Sequence, residues 1–456
     1  MVTRLLLEEE VLKTLRPTKQ ERDHVCSLAR RLLAFVDASG KARGMVVGSI
    51  ARHTWVHGDR DLDIFMLFDP ALSREKLEEE GLALARSVAG ACTDRFHEKY
   101  AEHPYINATI DDVDVDLVPC YEVASATKIQ SAVDRTPFHT RYITDKINGL
   151  IDDVLLLKRF TKAGGIYGSD QMTEGFSGYL CELLVLYYGG FTPLIGSAAG
   201  WRPQVLIDIE GHAAKKFDEP LVVIDPVDPR RNVSAAVSLD RMAGFVELAR
   251  GYLDSPSPAF FFTPPGLSIR KKDLAALIRQ RKTYVYAVVF STPPFIPEVI
   301  VPQLKHSLHS IRELLGRNGF AVHHAHYDMQ PEHCMFLFEL LNGTLPAVRC
   351  HAGPPLWNRL NADRFREKHL ATLATGPYIV NGRYEIEVPR EHQTAEGLLS
   401  SQEILLNASH GKHVRQSLEN GWQLLSGADC WQPEFSPFIA GFFDRSSPLV
   451  RILRKR

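Results

Sequence analysis

The chain has 456 residues, an apolar content of 45% and a formal net charge of −2, which indicates roughly two to four domains with sizeable cores. The nearly neutral charge excludes a general attraction to nucleic acid, so any RNA binding has to come from local basic patches. Seven scattered cysteines without a Cys-x-x-Cys pair argue against a structural zinc site, and we expect reduced thiols, a cytoplasmic location, no signal peptide and no membrane span.

The first chemically informative stretch covers residues 44–68 and predicts a strand, a tight turn, a short helix and a second strand. Gly48 allows the backbone to turn and to approach a ligand closely. Ser49 and Arg52 share one face of the short helix, which we expect to end at Gly58. Free N–H groups at a helix N-terminus attract phosphate, so this turn is a candidate phosphate site.

Two carboxylates follow on the second strand. Asp61 and Asp63 point to the same face because side chains two residues apart in a strand do so. A pair about 6–7 Å apart can bridge two divalent ions. A later strand, residues 113–120, carries Asp114 and Asp116 on one face; both are candidates for a third ligand, and Asp116 is the one directly before the apolar end of the strand. Converging carboxylates require cations, and oxygen ligands suit Mg²⁺.

Helical spacing of apolar residues predicts further helices at residues 18–37, 73–91, 147–164, 180–188 and 237–253. Ser177 is expected to cap the N-terminus of the helix at 180–188. Four prolines between residues 256 and 265 mark a boundary. The pattern beyond it predicts a small α+β domain in the order strand, helix, strand, strand, at residues 283–290, 304–315, 320–327 and 334–341, followed by a charged helix at 361–369.

The Gly-Ser turn followed by Asp-Leu-Asp resembles the signature of the polymerase-beta nucleotidyltransferase superfamily. Longer strings narrow the resemblance to the archaeal, class I CCA-adding enzymes, which are tRNA nucleotidyltransferases. It covers essentially the whole chain and thins after about residue 290. The strings are Tyr-Ala-Glu-His-Pro-Tyr (100–105), Val-Pro-Cys-Tyr (118–121), Ser-Ala-Val-Asp-Arg-Thr-Pro-Phe-His (131–139), Gly-Phe-Ser-Gly-Tyr-Leu-Cys-Glu (175–182) and Asp-Pro-Val-Asp (225–228) with Arg-Asn-Val (231–233).

The resemblance implies a multidomain α+β fold. A polymerase-beta-like nucleotidyltransferase head with a mixed sheet would cover residues 1–146, and a helical neck that completes the nucleotide pocket would cover 147–258. A ferredoxin-like α+β RNA-binding body and a tail would cover 259–456. The implied activity is template-independent addition of C, C and A to the 3′ end of tRNA from CTP and ATP, with two Mg²⁺ ions, release of pyrophosphate and a homodimeric enzyme.

The resemblance also assigns residues to roles. Asp61, Asp63 and Asp116 are the catalytic metal ligands. The nucleotide ligands are Ser49, Arg52, Lys158, Arg135, Thr136, His139 and Tyr167, of which Ser49, Arg52 and Lys158 hold the triphosphate. Base selection and primer contact fall to Arg231, Glu102 and His103, and for Arg231 a structural ion pair with an Asp of the same turn is the alternative. Weaker candidates for phosphate contacts along the acceptor stem are Lys412, His413 and Arg415, each of which is otherwise a surface charge.

Two other functions stay open at this point. One is a different template-independent nucleotidyltransferase, such as a poly(A) polymerase, which would add only A. The other is a catalytically silent RNA-binding protein with the same fold. Retention of all three acids argues against the silent protein.

Overall fold

The structure, a computed structural model, describes residues 2–100, 103–262, 266–370 and 376–454. The chain divides into two compact units, residues 1–265 with 446–456, and residues 266–445. The first unit therefore contains both the predicted head and the predicted neck. Its elements are α1 (Val2–Leu15), α2 (Lys19–Ala38), β1 (Arg43–Val47), α3 (Gly48–Ala51), β2 (Asp61–Phe68), α4 (Arg74–Gly90), β3 (Phe96–Tyr100), β4 (Pro104–Ile110), β5 (Val113–Tyr121), α5 (Thr136–Lys146), α6 (Ile151–Ala163), α7 (Gly178–Tyr188), α8 (Phe191–Ala198), β6 (Val205–Ile207), β7 (Leu221–Asp225), β8 (Asp228–Asn232) and α9 (Leu239–Asp254).

The second unit begins with α10, and the chain then returns to the first unit with a last helix, α17, that packs against α9. The elements are α10 (Lys271–Arg281), β9 (Tyr284–Ser291), α11 (Pro297–Arg317), β10 (Val322–Met329), β11 (His333–Leu340), β12 (Val348–Pro355), α12 (Arg359–His369), β13 (Tyr378–Val380), β14 (Arg383–Pro389), α13 (Ala395–Ser400), α14 (Gln402–Asn407), α15 (Lys412–Glu419), β15 (Trp422–Ser426), α16 (Ser436–Phe443) and α17 (Pro448–Leu453).

A five-stranded mixed sheet organises the start of the first unit, in the order β1-β2-β5-β4-β3. Strands β2 and β5 are parallel, and the other pairs are antiparallel. Alternation along β2 buries Leu62, Ile64 and Met66 in a core with α2 and α4. Thr18 begins α2 with a capping box that includes Glu21. The predicted helices at 18–37 and 73–91 are confirmed.

Helices α6 to α9 enclose a second core rich in aromatic rings, including Phe160, Phe245 and Tyr252. The Ser177 hydroxyl accepts a hydrogen bond from the Leu180 backbone N–H and caps α7, as predicted. No single described helix is long and apolar enough to cross a membrane; only α7 and α8 together, bent by 92°, pass the length and composition test.

The second unit confirms the strand, helix, strand, strand prediction. Its antiparallel sheet has the order β10-β11-β9-β15, with α11 connecting β9 to β10. This is the strand order of a ferredoxin-like sheet. A separate sheet, in the order β12-β14-β13, is inserted between β11 and β15.

One local prediction was wrong. The helix after Gly48 does not extend to Gly58 but ends at Ala51, since His53 adopts a φ of 59°, which no α-helix continues through. The segment 131–139, one of the strings that carry the resemblance, is largely helical. It forms a 3₁₀ turn followed by the first turn of α5, where Pro137 is tolerated because N–H groups in the first turn have no partner in the helix.

Candidate active site

The parallel pairing of β2 with β5 brings the acids of both strands to one edge of the sheet. Asp61 lies opposite Asp114, and Asp63 lies opposite Asp116. Both strands begin with these acids and continue into buried apolar residues. The register therefore places Asp116, rather than Asp114, beside Asp63.

Gly48 makes room for one of these carboxylates. A Cβ atom built on Gly48 would lie 2.0 Å from Oδ2 of Asp63, a distance no side chain tolerates. Its φ of +72° also lies in the left-handed region that favours glycine. The turn between β1 and α3 thus brings bare backbone directly against the Asp63 carboxylate.

Removal from water, together with nearby like charges, raises the pKa of Asp61, Asp63 and Asp116. Desolvation, followed by the charge of Asp116, raises the pKa of Asp63 to about 7, although Arg52 opposes the rise. Desolvation also raises the pKa of Asp61, with contributions from Asp59 and Asp114. For Asp116, desolvation raises the pKa and a hydrogen bond from Asn107 lowers it. A cation at this edge would reverse the unfavourable interaction.

The donor set fits divalent metal ions, because hard cations prefer carboxylate oxygens. Within residues 2–100, 103–262, 266–370 and 376–454, no three His, Cys, Asp or Glu side chains are already drawn together as a preformed metal site.

Two predicted triphosphate ligands converge on a buried carboxylate that the sequence analysis did not single out. Glu182 on α7 has no exposed surface. Arg52 Nε lies 2.9 Å from its Oε2, and Lys158 Nζ lies 3.7 Å from its Oε1. Thr54 also donates a hydrogen bond to Glu182, and Lys158 donates to the Thr54 carbonyl at 2.8 Å. Desolvation lowers the pKa of Lys158 while Glu182 opposes the change.

The side chains of Arg52 and Lys158 differ in their access to the cavity of the first unit. Arg52 lines a cavity of about 1300 Å³, whereas Lys158 is 4% exposed and lies behind Gly178. The ammonium group of Lys158 is thus buried against Glu182 and Thr54, and its role as a triphosphate ligand stays a prediction. Ser49, in the four-residue helix α3, is partly buried beside Gly48.

A second buried carboxylate, Asp225, organises the far wall of the cavity. His139 Nε2 and Arg231 Nη1 each lie 2.8 Å from Asp225 Oδ2, and the Tyr179 hydroxyl donates to Oδ1 at 3.2 Å. The His139 and Tyr179 rings stack at 4.2 Å. Although burial opposes it, hydrogen bonds from His139 and Arg231 hold the pKa of Asp225 below its usual value. The Asp–Arg pair that was the alternative for Arg231 is present, yet Arg231 also lines the cavity.

The remaining nucleotide candidates occupy the same cavity or its border. Arg135 and Thr136 line it, and Arg135 Nε donates to Asp228 Oδ2 at 3.0 Å. The hydroxyl of Tyr167 lies next to Gly178, behind the cavity wall, and the ammonium group of Lys162 lies 5.3 Å above its ring.

Other predicted residues are not brought to this cavity. His103 is 3% exposed; its Nε2 lies 2.5 Å from the Pro119 carbonyl and its Nδ1 lies 3.3 Å from the Ser131 hydroxyl, so both ring nitrogens have partners. Glu102 lies outside the described residues. Candidates in the second unit lie on α15, where the His413 ring contacts Phe295 at 3.8 Å and Arg415 pairs with Glu419; these candidates are Lys412, His413 and Arg415.

Glu182 and Asn107 are the functional candidates that sequence reasoning missed. Both residues stand out in the sequence as polar side chains in apolar surroundings: Glu182 is the lone charge in the apolar run 180–186, and Asn107 interrupts an apolar strand. A buried polar group requires partners, but the sequence does not show which partners.

Comparison with known families matches successive parts of the chain. A family described as nucleotidyltransferase domain matches residues 28–139, the tRNA nucleotidyltransferase second domain matches 152–262, and the CCA-adding enzyme C-terminal domain matches 281–427. The fold and the acidic edge thus define the class of the chain, a nucleotidyltransferase.

Relatives that match this chain over most of its length assign it to one family of nucleotidyltransferases. A CCA-adding enzyme of Methanoregula boonei is 67% identical and covers 100% of this chain and 99% of its own. That of Methanosarcina barkeri is 42% identical, with 92% and 94% covered, and that of Halorubrum lacusprofundi is 43% identical, with 84% and 87% covered. The chain belongs to the CCA-adding enzyme family. A solved cytoplasmic RNA terminal U-transferase overlaps it with a TM-score of 0.44 at 17% identity, covering 58% of this chain and all of that one.

Proposed function

We propose that the chain adds C, C and A to the 3′ end of tRNA, using CTP and ATP and releasing pyrophosphate, with two Mg²⁺ ions at the acidic edge. The observation that carries the proposal is the in-register pairing of Asp63 with Asp116 beside the glycine turn at Gly48. Family membership supplies the tRNA substrate and the nucleotides.

The acids have distinct roles in this proposal. Asp61 and Asp63 would hold both ions, and Asp116 would join them in holding the ion that activates the 3′-hydroxyl of the tRNA. Bound Mg²⁺ would favour deprotonation of that hydroxyl and neutralise charge on the triphosphate. Because carboxylates outnumber the cationic side chain of Arg52 at this edge, the site is suited to a polyphosphate that arrives with its cations.

The cavity wall orients the nucleotide. Arg52 provides positive charge next to the acids, and the bare turn at Gly48 with Ser49 lets phosphate approach the backbone. Arg135, Thr136 and His139 line the pocket around the sugar and base, and Tyr167 supports its border. Arg231 is the favoured contributor to base choice, since Asp225 fixes its guanidinium while leaving it 38% exposed.

Primer and stem contacts complete the proposal. His103 and Glu102 support the primer end, His103 from a buried position. Local phosphate contacts along the acceptor stem fall to Lys412, His413 and Arg415.

The division into a head, a neck and a body with a tail, at residues 1–146, 147–258 and 259–456, belongs to the same proposal. So do a homodimer and a cytoplasmic location, the latter favoured by seven free cysteines.

The test uses tRNA that lacks its 3′ C-C-A end, incubated with Mg²⁺, CTP and ATP, and sequenced at its terminus. Ordered addition of C, C and A that then stops is the expected result. Tails of A alone would replace the substrate assignment while keeping the site. No transfer by folded protein that binds tRNA would overturn the enzymatic proposal.

A further inference from the structure

Asn107 is a buried amide beside the acidic edge. It lies on β4 directly opposite Asp116 of β5, and 6% of its surface is exposed. Its Nδ2 lies 2.7 Å from Oδ1 of Asp114 and 2.7 Å from Oδ1 of Asp116. An amide nitrogen carries two hydrogens, so it donates to both carboxylates at once. The flipped amide would turn its oxygen toward two acids, which electrostatic repulsion excludes.

Asn107 contacts the two acids of β5 alike, and their positions in the sheet distinguish them: Asn107 lies directly opposite Asp116, and Asp116 lies beside Asp63. Both Oδ1 atoms are occupied by Asn107, and in the described parts of the chain neither carboxylate accepts another hydrogen bond. Register places Asp116 beside Asp63 and Asp114 one step away beside Asp61. One oxygen of Asp116 thus stays available next to Asp63, on a carboxylate whose rotation is restricted.

We propose that Asn107 is a positioning residue for cation binding at the acidic edge. It holds the Asp116 carboxylate in place through one N–H and ties it to Asp114 through the other, so that Asp116 is the ligand and Asp114 is the brace. Hydrogen bonds to ligating carboxylates orient them, and their loss typically weakens metal affinity or activity by about 10–100-fold. The inference rests on the proposed metal-dependent function.

The experiment measures Mn²⁺ binding to the full-length protein from the electron paramagnetic resonance signal of free Mn²⁺. Asn107→Ala should weaken binding about tenfold or more. Asn107→Ser, with a single donor, should give an intermediate loss and carries the test if the alanine variant fails to fold. Thr109→Ala is the matched control, because Thr109 is exposed on the same strand opposite Asp114, and its binding should equal that of the wild type.

A second pair of variants separates ligand from brace. Asp116→Asn removes a ligand and should weaken Mn²⁺ binding more than Asp114→Asn, whose amide oxygen can still accept from Asn107. A lower melting temperature with Mn²⁺ affinity within twofold of the wild type would show a merely structural role for Asn107 and overturn the inference. Failure of the wild type to bind Mn²⁺ would instead overturn the metal-dependent function itself, and the inference with it.

Discussion

Two carboxylates of the first unit, Asp63 and Asp225, lie in opposite electrostatic surroundings. Asp63 faces another acid, and its pKa is raised to about 7. Asp225, which has no exposed surface, receives hydrogen bonds from His139, Arg231 and Tyr179, and its pKa is lowered. The charge of Asp225 is thus balanced within the protein, whereas the acids beside Asp63 outnumber the nearby cationic side chain of Arg52. The difference teaches that the charge of Asp225 is balanced before any ligand arrives, whereas the acidic edge around Asp63 needs cations to balance its charge.

The largest effect is expected from removing an acid at the edge. Asp61→Ala should reduce nucleotide transfer about 1000-fold or more, because charge stabilisation by metal ions contributes several kcal/mol and each tenfold corresponds to about 1.4 kcal/mol. Single-turnover addition of one C to tRNA measures it. Activity within tenfold of the wild type would remove Asp61 from the mechanism.

Glu182→Ala should destabilise the protein by about 3–5 kcal/mol, since Arg52 and Lys158 would lose a buried partner. Glu182→Gln keeps the shape and some hydrogen bonds and should cost less. Urea unfolding followed by tryptophan fluorescence measures both. Equal stability of the alanine variant and the wild type would show that the two cations do not depend on Glu182.

Neutralising each of the two compared carboxylates should give stability changes of opposite sign. Asp225→Asn removes the charge that pairs with His139 and Arg231 and should lower the free energy of unfolding by about 3 kcal/mol. Asp63→Asn removes a buried charge and its repulsion from Asp116 and should raise it by about 2–4 kcal/mol in metal-free protein above pH 7. Chemical unfolding in a chelating buffer tests the pair, and a loss of stability in both variants would contradict the contrast.

The raised pKa of Asp63 also predicts how the stability of the folded protein depends on pH. The folded protein holds the Asp63 proton up to about pH 7, while the unfolded chain releases it near pH 4. Stability from this group is therefore present at low pH and lost as the pH rises, by about 2 kcal/mol between pH 5 and pH 7. The difference between wild type and Asp63→Asn in metal-free buffer isolates it, and a difference independent of pH would contradict the raised pKa.

The smallest effect concerns selection. Arg231→Ala should reduce discrimination between C and A about tenfold, the equivalent of one good hydrogen-bonded contact at about 1.4 kcal/mol, with metal affinity unchanged. Arg202→Ala, an exposed arginine outside the cavity lining, is the control. Single-addition assays with CTP or ATP measure the ratio, and unchanged selection would leave Arg231 with only its structural ion pair.

Alternation and local spacing sufficed to predict the acidic edge. Asp61, Asp63 and Asp116 follow from strand periodicity and the resemblance, and the strand order of the second unit follows from its βαββ pattern. Pairings over long sequence separations could not be predicted in this way. Glu182 meets Arg52 across 130 residues, and His139 meets Asp225 across 86, so their burial and partners arise only from tertiary packing. The early end of α3 depends on a left-handed backbone at His53; histidine adopts this conformation more often than most residues but still only in a small fraction of cases, so the residue type alone does not predict it.

The most direct measurement of the contrast between the two carboxylates is proton release on Mg²⁺ binding. Calorimetric titration at pH 7 in two buffers of different ionisation enthalpy gives the number of protons released per protein. We predict release of about half a proton by the wild type, because Asp63 with a pKa of about 7 is half protonated there, and markedly less by Asp63→Asn. Binding of Mg²⁺ with no proton release, or equal release by both proteins, would contradict a catalytic edge that exchanges protons for metal ions.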